Sequence, residues 1–225
     1  MSLYAWLMIG SFIGPFLLSF DKKVAFYRWW PKLFLGIGLN LVLFILWDTW
    51  FTKSGVWSFN PDYVWNIRIL ELPIEEWSFF VVVPYASIFI YACLKAYLKD
   101  SWWKPKVSFF NYLFIAWCLV SILFFSDRTY TVVNFSIALV LLLVQQFWIK
   151  GAYMSYFWMA YFIHLVPFFI INGILTGAAT TEPVVLYNAN EIIGIRLLTI
   201  PLEDTIYALS CLLIPITVLE HFKTR

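Results

Sequence analysis

The sequence predicts an all-α integral membrane protein of about seven transmembrane helices, arranged as a 3+1+3 parallel internal repeat. Three observations carry this expectation. Of 225 residues, 63% are hydrophobic and 22% aromatic against 12% charged, and mean hydropathy is +0.82. A soluble domain of this size leaves too much surface in water to hide that much apolar side chain. Apolar runs of about 20 residues, the length that crosses a hydrocarbon core, recur along the whole chain, and a block in the first half returns in the second at a fixed offset.

The spans follow in order. Residues 3–20 are apolar but lack a basic leader and a small-residue cleavage site, so they read as a retained helix rather than a signal peptide. Runs at 31–51, 73–95, 108–125, 131–149, 153–175 and 199–220 supply the other six. Their loops differ in charge. Lys22, Lys23, Arg28, Lys32, Lys95, Lys99, Lys104, Lys106, Lys150, Lys223 and Arg225 follow the odd-numbered helices, and only Lys53, Arg68, Arg128 and Arg196 lie opposite. The positive-inside rule then puts the N-terminus outside and the C-terminus in the cytoplasm. Ten of the thirteen acids lie toward the outer side, a bias that orientation rules do not explain, because acids carry little weight in them.

The repeat is specific. Shifting the chain by 128 lays "NIRILELPIEEWSFF" over "GIRLLTIPLEDTIYA". Arg68 then falls on Arg196, Pro73 on Pro201, Glu75 on Glu203, Glu76 on Asp204, Phe79 on Tyr207 and Asn60 on Asn188. A four-residue gap pairs Asp48 with Asn172 and Thr52 with Thr176. Helices one to three match helices five to seven, with helix four left over so that both copies cross in the same direction. The domain reading is therefore 1–98, a connecting helix within 99–130, and 131–225, with a site expected where the halves meet.

Pro73 and Pro201 fit the first turn of a helix, where a missing N–H costs nothing. The acids behind them then sit near the positive end of the helix dipole, and the plainer account of them is capping. Their continuation into apolar helices at the membrane interface favours a functional role. Adjacent helical residues point about 100° apart, so one acid of each pair faces the bundle, and Glu75 and Glu203 are expected to be that one. A carboxyl on an apolar face resists ionisation while the helix dipole favours the anion; the sequence leaves that balance open.

Other chemistries find little support. No Lys/Arg run marks a nucleic-acid surface, and Cys93, Cys118 and Cys211 show neither a disulfide framework nor zinc spacing. His164 and His221 are isolated, so no metal site is expected. "GIGLN" (36–40) lacks the strand and third glycine of a dinucleotide fingerprint.

The segments "WDTWFTKSGVWSFN…IRILELPIEEWSFF" and "NGILTG…VLYNANEIIGIRLLTIPLEDTIY" resemble the two halves of the membrane lycopene cyclases of the heterodimeric or fused type. These occur in bacteria and archaea, and in fungi joined to a phytoene synthase. The resemblance spans nearly the whole chain, with PxE(E/D) in both halves its most specific part. It implies non-redox, acid–base cyclisation of the ends of lycopene to an ionone-type ring, of β type, in the bacterial cytoplasmic membrane and without a cofactor. It also implies membrane lipid and other carotenoid-pathway enzymes as partners. Glu75 and Glu203 are then the expected acid and base, in unassigned order, with Glu76 and Asp204 as their partners. Trp57, Trp77, Phe79, Phe80 and Tyr207 are candidate cation-stabilising faces. Arg68 and Arg196 are expected to clamp carboxylates, and Asp48, Thr52, Asn60, Asn172, Thr176 and Asn188 to form a polar shell.

Two readings from other classes compete. A 3+1+3 repeat also suits a small transporter, although the polar residues gather at one face rather than mid-bilayer. A retinal receptor requires a lysine in helix seven, and 199–220 has none.

Overall fold

A computed structural model describes residues 2–98 and 103–223; Lys99 and Arg225, counted in the charge asymmetry, lie outside them. Seven helices stand among the described residues: α1 (Leu3–Leu18), α2 (Trp30–Ser54), α3 (Ile74–Tyr97), α4 (Val107–Phe124), α5 (Thr129–Leu143), α6 (Met154–Leu175) and α7 (Glu203–Lys223). Helix α5 continues as a π turn over Val144–Ile149. Six of these segments are long and apolar enough to cross a membrane. The seventh, α1, has 16 residues, about 24 Å at ~1.5 Å per residue, and is the short member of the set. The chain is thus an all-α, multi-pass membrane protein.

Six short strands interrupt the helices at one end of the bundle: β1 (Trp57–Phe59), β2 (Arg68–Ile69), β3 (Leu72–Pro73), β4 (Val185–Tyr187), β5 (Arg196–Leu197) and β6 (Ile200–Pro201). They correct the expectation for the prolines. Pro73 and Pro201 belong to strands, paired with Arg68 and Arg196 in two tight hairpins of identical register. Helix α7 therefore starts at Glu203 rather than 199. The turns need left-handed backbone at Leu70, Glu71 and Leu198, conformations that non-glycine residues seldom adopt. Apolar periodicity carries no signal for such a turn.

The halves meet through β1 and β4, which pair antiparallel as Trp57 with Tyr187, Ser58 with Leu186 and Phe59 with Val185. Ser58 and Leu186 are themselves related by the offset of 128, so a pseudo-two-fold axis passes between them. The flanking bonds obey it: Asn60 N–H donates to Val184 O and Asn188 N–H to Val56 O, each at 2.9 Å. Below this ribbon, α2 packs on α7, α3 on α1 and α6, and α4 on α5. Cys118 and Cys211 are buried and Cys93 half-buried, all three as free thiols.

Candidate active site

The repeated block is a small machine for turning one carboxyl inward. Arg68 Nη1 donates to Glu71 O at 3.0 Å, and Arg196 Nη1 to Thr199 O at 2.5 Å, closing the two hairpins. The arginines therefore hold turn backbone; the expected clamp on carboxylates is not made. Behind each hairpin the first acid reaches back to the loop. Glu75 Oε1 accepts from Trp65 N at 2.7 Å and from the Ser2 hydroxyl. Glu203 Oε1 accepts from Ile193 N at 2.6 Å and Thr131 Oγ1 at 2.8 Å. Trp65 and Ile193 are again 128 apart. Each of these carboxyls is engaged through Oε1 alone; Oε2 is buried without a partner among the described residues in both halves.

The acid of each pair that faces the centre is therefore not the expected one. With Glu75 and Glu203 committed to their loops, the next residue lies about 100° around the helix, and Glu76 and Asp204 are the acids that enter the centre. There they meet Asp48, from the C-terminal end of α2, around a cavity of ≈40 Å³. All three carboxyls are buried, with 1% exposure at Asp48, 7% at Glu76 and 3% at Asp204. Asp48 and Glu76 face the same cavity from α2 and α3. Tyr4 Oη donates to Glu76 Oε2 at 2.7 Å and Tyr207 Oη to Asp48 Oδ1 at 3.1 Å. Asp204 is surrounded by hydrogen-bond donors. It accepts from Tyr130 Oη at 2.6 Å, Asn172 Nδ2 at 2.8 Å and Tyr187 Oη at 2.9 Å. Tyr187 lies on β4, outside the helices; burial first, and Asp204 beside it second, push its phenol well above the usual tyrosine range, so it serves as a donor.

Pseudo-symmetry makes the differences legible. Tyr4 and Tyr130 correspond: their N–H groups donate to Tyr63 O and Glu191 O, residues 128 apart. Elsewhere the two halves diverge in pairs at the cavity wall. Asp48 stands against Asn172, Phe59 against Tyr187, Phe79 against Tyr207 and Trp57 against Val185. One duplicated scaffold thus carries two neighbouring carboxyls on one side and a carboxyl facing three donors on the other.

Aromatic rings and the β1–β4 ribbon close the site. The Trp57 ring lies 5.3 Å from Tyr130, 5.9 Å from Tyr187 and 6.5 Å from Tyr207. Trp57 and Phe59 point in from β1 while Ser58 points out, as strand alternation requires. Phe79 and Phe168 line the cavity from α3 and α6.

The remaining predicted residues sit further out. Phe80 is buried behind the wall, 5.6 Å from Phe44 and 6.4 Å from Tyr207. Trp77 is turned outward, its Nε1 donating to Ile69 O at 3.2 Å. Thr52 Oγ1 receives the Trp57 indole at 3.1 Å, and Thr176 Oγ1 bonds Thr199 Oγ1 at 2.8 Å. Asn60 and Asn188 organise loops, receiving Asp62 N and Asn190 N. Tyr4, Tyr130, Tyr187 and Phe168 went unpredicted; an offset of 126 superposes the first two. Among the described residues no group of three His, Cys, Asp or Glu side chains is suited to a metal ion.

Comparison with known proteins agrees with the sequence resemblance. A family model described as lycopene cyclase matches residues 1–94 and 127–222, in two tandem segments. The chain is similar to bifunctional lycopene cyclase/phytoene synthases of fungi. It is 32% identical to that of Aspergillus niger over 60 residues, 27% of this chain and 10% of the relative. To that of Podospora anserina it is 35% identical over 65 residues, 27% and 11%. To that of Neurospora crassa it is 38% identical over 45 residues, 20% and 8%. These matches span about a tenth of the curated relatives' length. No solved structure matches the chain.

Proposed function

This chain belongs to the lycopene cyclase family, and from that premise we propose that it closes the ends of lycopene into β-type rings by acid–base chemistry, with Glu76 and Asp48 as the acid and Asp204 as the base. The observation that carries this reading is the convergence of three buried carboxyls under an aromatic lid where the repeats meet.

The proton held between Asp48 and Glu76 adds to the terminal double bond, leaving a tertiary cation. The neighbouring double bond attacks it, forming the ring carbon–carbon bond and moving the positive charge into the ring. Asp204 then removes a proton from a carbon next to the cation, and the ring alkene forms. One proton enters and one leaves, so the product is an isomer of the substrate, and general acid–base catalysis suffices. Transfer of the proton from Asp204 back to the Asp48–Glu76 pair resets the site. The faces of Trp57, Phe79, Phe168 and Tyr207 stabilise the intermediate charge. The β1–β4 lid keeps out water, which would capture the cation as an alcohol.

Two organisational features belong to the same proposal. Residues 1–98 and 131–225 are the two cyclase-like halves, joined through 99–130, and the acids enter from the outer face with the C-terminus cytoplasmic. The test is expression in lycopene-accumulating bacteria followed by chromatography of the pigments. Cyclised pigment is expected; unchanged lycopene, with the protein present in the membrane, refutes the reading.

A further inference from the structure

A cavity of ≈40 Å³ accommodates a water-sized group, far less than a methylated six-membered ring, so the carboxyls alone do not account for substrate binding. Room lies next to them. An apolar groove of ≈410 Å³ runs between α1, α3 and α6 and is open on one side. Phe79, Phe168 and Asn172 line both spaces, and a small pocket that includes Phe79, Phe168 and Tyr207 joins them.

Prolines border the groove. Pro15 of α1 and Pro167 of α6 stand in its wall, and Pro84 of α3 stands in the joining pocket. An interior proline removes a backbone hydrogen bond from its helix, so three interrupted helix ladders border one opening. The pseudo-equivalent seam, between α7 and α2, has the opposite character. At Gly36 a Cβ would come within 2.9 Å of Pro215 O, so α2 rests directly on α7 at that point.

The floor of the groove is pinned. Ser87 Oγ donates its proton to Val83 O at 2.7 Å, so it accepts from His164 Nδ1 at 2.8 Å. This single bond ties α3 to α6 beneath the groove, and both side chains are buried. Along α3, Glu76 to Ile90 spans about 21 Å at ~1.5 Å per residue, most of a hydrocarbon core ~30 Å thick.

We propose that this groove binds the unreacted arm of an acyclic isoprenoid polyene, which passes its terminal double bond between Phe79 and Phe168 to the Asp48–Glu76 pair. The Ser87–His164 bond positions the arm by setting the spacing of α3 and α6. The occupant follows from continuity: a chain lying in the groove has one end at the acids, which serves a linear substrate and gives a lipid acyl chain nothing to do there. This inference rests on the cyclase reading and adds to it a binding site, an entry side and a positioning residue.

Bound pigment separates binding from catalysis. Protein carrying Glu76→Gln, purified from lycopene-accumulating cells, is expected to retain lycopene. Adding Ala86→Trp, or Gly10→Phe from the opposite wall where nothing lies within 4 Å of a new Cβ, should lower retained pigment about tenfold or more by displacing apolar contact. Adding Val42→Trp on the exposed face of α2 should leave it unchanged. In the otherwise native protein, His164→Leu should raise KM several-fold with kcat nearly kept, and His164→Gln, which can still donate to Ser87, should restore it. Full pigment retention in both filled variants, or acyl lipid recovered in place of pigment from Glu76→Gln, overturns the proposal. A native chain that binds lycopene in the groove yet forms no ring instead overturns the cyclase reading and leaves the groove assignment standing.

Discussion

Asp48→Asn separates the chemistry of the site from its architecture. Asp48 and Asn172 occupy corresponding places in the two halves, and the second half already shows what an amide does there: Asn172 Nδ2 donates to Asp204 at 2.8 Å. In the variant, the new amide oxygen can still accept from Tyr207, which bonds Asp48 Oδ1 at 3.1 Å, and the amide N–H can stand where the proposed mechanism puts the proton shared with Glu76. Shape and hydrogen-bond count are conserved, so stability should change by less than about 1 kcal/mol. The transferable proton of the pair is what disappears. General acid catalysis is worth about 10²–10⁴ in rate, which corresponds to ~2.7–5.4 kcal/mol of barrier at about 1.36 kcal/mol per tenfold. The expected result is a loss of that size in initial rate of ring formation, measured in membranes by pigment chromatography and normalised to folded protein. A rate within about threefold of the native enzyme refutes the pair as proton source, since a general acid contributes at least ~10².

Three further outcomes follow from the same geometry. Asp204→Asn should abolish cyclisation while the protein still accumulates, and near-native turnover would return the acidic block to helix capping. Glu203→Gln keeps an oxygen for Ile193 N and should retain most activity, whereas Glu203→Ala leaves buried donors unpaired and should cost about 1–3 kcal/mol of stability; thermal unfolding and pigment analysis together distinguish the two, and a dead but stable Glu203→Gln would restore Glu203 to the chemistry. Trp57→Ala opens the lid, so part of the product should become a more polar, hydroxylated pigment detectable by chromatography and mass spectrometry; an unchanged product profile would show that the ribbon does not exclude water.

The spans, the repeat and the inward turn of an acidic block were legible because they rest on periodicity and on side-chain chemistry, both local to the sequence. The hairpins were not. They depend on left-handed backbone at Leu70 and Leu198, where neither glycine nor asparagine announces a turn, so the prolines read as helix starts. That one error propagated. With Pro73 in a strand, Glu75 meets the backbone of its own loop, and facing the bundle falls to Glu76. The tyrosines were missed for a different reason. Tyr4 and Tyr130 reach their acids from sequence separations of 72 and 74, contacts fixed only by tertiary packing.

Duplication explains both the resemblance of the two halves and the need for them to differ. Two identical halves about a two-fold axis would present two identical carboxyls, and equal groups in equal surroundings have no reason to act one as donor and the other as acceptor. Three differences in the wall remove that equivalence. Asp48 against Asn172 sets a second carboxyl beside Glu76 in one half and gives Asp204 an amide donor in the other; Tyr187 in place of phenylalanine gives Asp204 another of its three donors; and Tyr207 in place of phenylalanine reaches across the axis to hold Asp48. The backbone, meanwhile, keeps its symmetry to the level of single hydrogen bonds at Asn60 and Asn188. Scaffold and chemistry are thus carried by separate residues, and exchanging the wall residues between the halves should invert the roles of Glu76 and Asp204 while leaving the fold intact.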